Sequence, residues 1–517
     1  MGNPLRLLTL ELGSTSAGRG VIEELRHLIP GVWIAGVEKQ KDYESTAFDL
    51  VVTTQYDAFL GRYESVNTAD LAMTPELSNL MAPYEGKILN LLGLAAVRPA
   101  SDYPDPIYGV PKYVDSYDNR KDLFNRHCRF WNYIFDHYKI DAVIHENLGQ
   151  EGYDYVALQL ARAKGIPTLV FNIAGQMPRV QFVQESETTI GNLELGAELK
   201  ARLAKSLNYE SPDFVKRCLP RFMVSVDSGA HTGAISEYRT VPLTSWMFDR
   251  NIYRNSISPV SAGVIFLRKL HRFLRNPRLG FRNFSRSRQL VKSAQRSLRE
   301  EREFSTDAVS AENYLYFPLH FQPETSTSIK ARSFYRQREL VAFVANALPD
   351  NWILVVKEHP HQFRRLLERQ SGFYAQLASI SRVVLAHHST DNRELVRNAR
   401  AVVCASYSSI TTHAVTIGKP VVCVGDSYFR EAPGYFCVET SADLRKAIEL
   451  VSTNQVGRKD GDLENFIARL ERSTFEGEFG EQFVDVSDDD WARTMAATRH
   501  NISRVIREWL RLRGLVK

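Results

Sequence analysis

Lys357-Glu358-His359-Pro360 closes an apolar run that begins at Trp352, and a second run, Ala401–Ala405, opens into Ser406-Tyr-Ser408-Ser409-Ile-Thr411-Thr412. Both end in groups suited to phosphate. An imidazole held before a proline, whose ring restricts the preceding backbone, could donate to a phosphate and offset negative charge on a leaving group. Lys357, by strand alternation, shares the His359 side. Hydroxyls at a helix start meet unpaired backbone N–H groups and the positive end of the helix dipole, which together favour an anion. One or two of them serve as caps, but five hydroxyls in seven positions exceed what a cap needs. Ser408 and Ser409 are the expected anion ligands.

A third group, Tyr316-Phe-Pro318-Leu-His320-Phe-Gln322-Pro323-Glu324, ends another strand-like run, and His320, Gln322 and Glu324 could reach a sugar or base. Carboxylates gather in the first half. Glu146 follows the run Ala142–His145, with Glu151 and Asp154 close behind, and Glu11 ends the first strand before a glycine-bearing loop. Asp154 competes as a helix N-cap. A carboxylate so placed can serve as a nucleophile or as a general base. Around His145 and Glu146 no third metal ligand is spaced to complete a site, so no metal is expected.

The elements that must carry these residues alternate. The first half reads as strands at Leu5–Leu10, Val32–Val37, Leu50–Thr54, Ile88–Leu92, Ala142–His145 and Thr168–Phe171. Between the last two lies a helix from Tyr153, stopped by Gly165 and Pro167. From Tyr314 the alternation restarts, with strands at Tyr314–Leu319, Trp352–Val356, Arg382–Ala386, Ala401–Ala405 and Pro420–Val424. Helices are expected at Arg332–Leu348, Phe363–Leu377, Asp391–Asn398 and Thr411–Ile417. Val-, Ile- and Leu-rich strands alternating with helices imply doubly wound parallel sheets, with ligands beyond the strand carboxyl ends. The fold class is therefore α/β, with two Rossmann-like domains facing a cleft. Domains are expected at 1–260 and 311–455. A basic linker spans 261–310, and a helical segment at 456–517 packs back through Met495, Ile502, Val505, Ile506 and Trp509. A strand at Phe222–Val226 is also expected.

The bulk properties exclude several classes. A chain of 517 residues exceeds one core. Five cysteines without CxxC pairing give neither a disulfide framework nor a zinc site. No leader or spanning run is evident, so a cytoplasmic location is expected. Residues 268–303 carry twelve Lys/Arg against three Glu, more than the whole formal net charge of +5. Apolar Val264, Leu267, Leu270, Phe273 and Leu274 interleave them at helical spacing. Residues 264–302 suit either an anionic membrane surface or a solvated linker, and no nucleic-acid-binding signature accompanies the charge.

Phe-Pro-Leu-His-Phe-Gln-Pro-Glu-Thr-Ser at 317–326, Lys-Glu-His-Pro at 357–360 and Ser-Ser-Ile-Thr-Thr-His-Ala-Val-Thr-Ile-Gly-Lys-Pro-Val-Val at 408–422 together resemble the capsule polysaccharide biosynthesis proteins. That family includes bacterial Kdo transferases of GT-B fold. The His-Pro and paired serines are similar also to bacterial sialyltransferases and CDP-glycerol glycerophosphotransferases. The resemblance covers 311–430, and 141–171 more loosely. It implies a CMP-activated sugar as donor substrate, a polysaccharide or glycolipid acceptor and no other cofactor. It further implies a donor pocket of His320, Gln322, Glu324, Lys357, His359, Ser406, Ser408, Ser409, Thr411 and Thr412. Where GT-B enzymes often place a ribose-contacting Glu, this chain has His413. A CDP-alcohol phosphotransferase and a non-catalytic assembly protein are the alternatives.

Overall fold

The computed structural model describes residues 4–38, 47–63, 66, 71–95, 116–147, 149, 151–173, 180–185, 193–207, 292, 295–307, 309, 311–322, 325–359, 362–363, 369–456, 460–479 and 488–517. The expected strand at Phe222–Val226, the basic residues 268–288 with their apolar partners, Glu324 and Pro360 lie outside them.

The first half contributes β1 (Arg6–Leu10), β2 (Trp33–Glu38), β3 (Leu50–Thr54), β4 (Ala142–His145), β5 (Thr168–Ile173) and β6 (Val180–Gln184). The second contributes β7 (Ser305–Thr306), β8 (Tyr314–Pro318), β9 (Ile353–Lys357), β10 (Val383–Ala386), β11 (Ala401–Cys404), β12 (Val421–Cys423) and β13 (Tyr435–Cys437). The sheet orders are β14-β6-β5-β4-β1-β2-β3 and β13-β12-β11-β8-β9-β10-β7. β14 (Phe475–Glu476) returns from the chain's end to pair antiparallel with β6. In each sheet the order reverses beside a central strand, between β1 and β4 and between β8 and β11. These are two Rossmann-type switch points, and the molecule is a GT-B type pair of Rossmann-like domains.

Burial on both faces explains the strand composition: β4, β8 and β11 are buried at every position. Tyr316, Val355 and Val402 point to the face covered by the helices Asn392–Asn398 and Ser409–Thr416, while Leu315, Val356 and Val403 meet Gln337–Ala345 on the other. The terminal helix Asp488–Leu512 lays Ile502, Val505, Ile506 and Trp509 on Val21, Ile22 and Leu25 of the helix Ser16–Leu28. Burying each such side chain contributes about 1.5–3 kcal/mol, which fixes the end of the chain to the first domain.

The run Ile88–Leu92 is not a strand. It lies inside the helix Pro75–Ala95, with Ile88, Leu89, Leu91 and Leu92 buried. A short apolar run looks alike in a covered strand and a covered helix, and here Leu77 and Met81 extend the helical face upstream. Ile329, just beyond β8, packs with the first half's core, so the loop after β8 reaches across to the other domain.

Candidate functional site

The β8 loop and the end of β9 are built as one unit. Glu358 turns from β9 into the core, where its carboxylate accepts Nε and Nη2 of Arg369, each at 2.8 Å. The same carboxylate takes the Tyr374 hydroxyl at 2.8 Å and the His359 N–H at 2.6 Å. Arg369 then reaches the loop, donating through Nη2 to His320 O at 2.9 Å and through Nη1 to Gln322 Oε1. Gln337 clamps His320 by accepting its N–H at 2.6 Å and donating to its carbonyl at 2.9 Å. Gln322 and Gln362 exchange backbone and amide hydrogen bonds at 3.0 and 3.1 Å.

Gln322 is therefore tied into the fold rather than presenting a free amide, since its Nε2 also donates to Tyr335 O at 2.6 Å. His320 is buried, and burial together with the Arg369 charge holds its pKa down at about 4, so the ring is neutral. Its Nε2 has no hydrogen-bond partner among the described residues. Lys357 donates to Asn392 Oδ1 at 2.9 Å, beside the Tyr316 hydroxyl at 2.7 Å on the same oxygen. Burial pulls Lys357 down to about 8, against the opposing charges of Glu301, Glu358 and Asp391. His359, half-buried where β9 ends, stands beside Phe321 of the loop with ring centroids 5.8 Å apart.

The hydroxyl cluster divides differently from the sequence expectation. Ser408 and Thr411 form a capping box: Ser408 Oγ accepts Thr411 N–H at 3.3 Å, and Thr411 Oγ1 accepts Ser408 N–H at 2.8 Å. Thr412 Oγ1 donates to Ser408 O at 3.2 Å, and Ser406 Oγ donates to Ser326 O at 2.7 Å. Four of the five hydroxyls are thus tied up within the fold, because a helix entered from a buried strand must satisfy its first turn locally. Ser409 is left half-buried at the helix start. Its hydroxyl, with the N–H groups of Ser409 and Ile410 that have no intrahelical acceptor, is the group suited to an anion. His413 is buried in the same helix. Sequence reasoning missed Lys330, whose Nζ donates to Tyr407 OH at 2.6 Å and lies 4.3 Å from that ring's centroid. It also missed Arg369, which nothing distinguishes from Arg364 and Arg365 in the sequence.

In the first half, the switch point brings Glu11 from β1 together with His145, Glu146 and Asn147 from β4 and Asp154 from the next helix. Asn147 N–H donates to His145 Nδ1 at 3.1 Å, which puts the ring proton of a neutral His145 on Nε2, facing Asp154 Oδ2 at 3.6 Å. Asp154 is not an N-cap. Gly152, at φ +89°, holds that position, and Asp154 Oδ1 accepts the N–H groups of Glu151 and Tyr155 at 2.9 and 2.7 Å. Its carboxylate is fully buried and positions its neighbours.

Glu11 sits in a left-handed conformation at φ 62° and accepts Asn147 Nδ2 at 2.7 Å. Burial, then the charges of Asp154, Glu146 and Glu151, push its pKa well above the usual carboxylate range. Glu146 is half-buried at the strand end, where a cleft ligand would lie. The spacing around His145 and Glu146 showed no third metal ligand, yet folding places Glu11, His145 and Asp154 with potential ligand atoms within 4.8 Å of one another.

Residues 288–435 match the family model described as capsule polysaccharide biosynthesis protein. The matched stretch spans β7 to β12 and contains all three motifs on which the resemblance was read, so the resemblance holds there. No curated protein matches the chain. Among solved structures, the chain is similar to the UDP-GlcNAc 2-epimerase of Methanocaldococcus jannaschii, with 11% identity over 91% of this chain and 98% of that one and a TM-score of 0.27. It is also similar to the Thermosulfurimonas dismutans KpsC, a beta Kdo 2,7 transferase, with 11% identity over 66% of this chain and 87% of that one and a TM-score of 0.26. A third is the glycotransferase of kitacinnamycin, at 11% identity over 98% and 100% and a TM-score of 0.22.

Proposed function

We propose that this protein is a glycosyltransferase that moves a sugar, Kdo or a related ulosonic acid, from a CMP-activated donor to a surface-polysaccharide or glycolipid acceptor. The observation that carries this reading is the pairing of switch points. The second half, inside the capsule-biosynthesis match, presents His359 and the Ser409 helix start, two groups suited to a phosphate leaving group. The first half presents carboxylates at its own switch point.

In this reading the donor phosphate takes the N–H groups of Ser409 and Ile410 and the Ser409 hydroxyl, and His359 donates to the phosphate as the glycosidic bond breaks. His320, neutral and buried, offers a ring nitrogen to the donor rather than a charge. Glu146 acts at the anomeric centre or on the acceptor hydroxyl, as nucleophile or base, and the anomeric configuration of the product distinguishes the two. Glu11 and Asp154 hold the neighbourhood of Glu146 in place. The reaction as written draws on the donor and acceptor alone, without a metal.

Purified protein offered CMP-Kdo, CMP-sialic acid, CDP-glycerol and UDP-sugars tests the donor. CMP release from CMP-Kdo supports the reading. Release only from CDP-glycerol points to phosphotransfer, and release only from a UDP-sugar overturns the cytidine assignment. No helix among the described residues is long and apolar enough to cross a membrane. Access to a lipid-linked acceptor is assigned to the basic residues 264–302, which should co-sediment with anionic liposomes. Equal co-sedimentation after charge reversal at Arg268, Arg272 and Arg275 removes that part.

A further inference from the structure

Away from both switch points, three groups converge where β10 ends. Glu301, from the helical residues 295–304 that lead out of the basic segment, is buried against the strand-end pair His387-His388. Its carboxylate accepts the His388 N–H through Oε1 at 2.7 Å and meets His388 Nδ1 through Oε2 at 2.8 Å. The same Oε2 lies 3.9 Å from His387 Nε2. The two imidazoles lie with centroids 4.1 Å apart. The other nitrogen of His387, Nδ1, is engaged by Ser389 Oγ at 2.6 Å and faces Asp307 Oδ1 at 3.5 Å. That is the arrangement by which an outer partner fixes a ligating histidine and turns its Nε2 inward.

We propose that Glu301, His387 and His388 form a binding site for a divalent cation of the zinc class, tying the segment that joins the two domains to the edge of the second sheet. Two imidazoles and a carboxylate suit zinc better than magnesium or calcium, which prefer oxygen. Ligand bonds of about 2.0–2.2 Å in a tetrahedral shell put ligand atoms roughly 3.3–3.5 Å apart. The observed separations from Glu301 Oε2, 2.8 and 3.9 Å, bracket that value, so shifts of about half an ångström admit the ion. The His387 side chain is 18% exposed, so the cluster reaches the surface on that side.

Metal-stripped full-length protein titrated with zinc chloride by calorimetry, with bound metal counted by mass spectrometry after dialysis, tests this. Wild type should hold one equivalent at this site, and zinc should raise its melting temperature, because a ligand of the native state stabilises it by mass action. His387→Ala keeps the Glu301–His388 contact and should fold. It should lose more than the ten- to hundredfold in affinity that an outer-shell change costs, along with the thermal shift. Absence of stoichiometric zinc in wild type, or retention of it by a folded His387→Ala protein, overturns the proposal. The second outcome would place the ion at Glu11, His145 and Asp154 instead. Donor turnover is not the readout, so failure here leaves the transferase reading standing.

Discussion

Glu358→Ala should be among the most damaging single changes in the second domain. The substitution removes the acceptor for both bonds from Arg369, whose side chain is only 4% exposed, and strands the His359 N–H and the Tyr374 hydroxyl. Breaking a buried ion pair by deleting one partner costs about 3–5 kcal/mol, because the remaining charge is left uncompensated. Two further stranded donors put the expected loss near the upper end of that range. The double substitution Glu358→Leu with Arg369→Met removes both charges and should recover a large part of the loss, since apolar replacement of a buried pair is often neutral. Urea unfolding, with hydrogen exchange at β8 and β9 to isolate the second domain, measures both, as the two domains need not unfold together. Arg369 also holds His320 O and Gln322 Oε1, so any folded fraction should bind donor more weakly. A loss below about 1 kcal/mol for Glu358→Ala, or a double variant no more stable than the single, would refute the reasoning.

Other expectations follow from the same structure. His320 has its pKa lowered from 6.5 to about 4 by burial and Arg369. The unfolded chain thus binds more protons between those values, and stability should rise with pH through that window; His320→Gln should flatten the slope in pH-dependent urea midpoints. Trp509→Ala removes a fully buried ring and the Nε1 bond to Glu185 Oε1 at 2.7 Å. It should cost the first domain about 3–5 kcal/mol in urea unfolding. Ser408→Ala should lose about 1 kcal/mol as a cap, with Ser409 still able to bind anion. Ser409→Ala should spare stability and weaken CMP binding in calorimetry.

Much of the architecture was legible because each half is a covered parallel sheet. The strands β4, β8 and β11 are buried at every position and bounded by turn signals, and such rows read directly. β6 and β14 did not, since they pair antiparallel at a sheet edge and β14 comes from a segment far along the chain. The site was legible in its outline, because residues ending consecutive strands must face one crevice. It was not legible in its division of labour. Nothing in Ser406-Tyr-Ser-Ser-Ile-Thr-Thr says that Ser408 and Thr411 cap each other while Ser409 stays out of the cap. Gln322 looked like a pocket side chain, but Arg369, 47 positions away, holds it in place. Likewise Glu300 and Glu301 counted only as charge in the basic segment. Glu300 accepts the N–H groups of Gly372, Tyr374 and Ala375, and Glu301 anchors His388. Such pairings depend on tertiary contacts that one-dimensional spacing does not carry.

The central claim is that a carboxylate at the first switch point works on a sugar whose cytidine phosphate is held at the second. Release of CMP from CMP-Kdo, followed side by side for wild type and Glu146→Gln, tests it most directly. Wild type should turn over, and the variant should fall by about 10²–10⁴-fold, the range for losing a general base, with CMP binding retained. Undiminished release by Glu146→Gln, or no CMP release by wild type from any CMP-sugar, would contradict it.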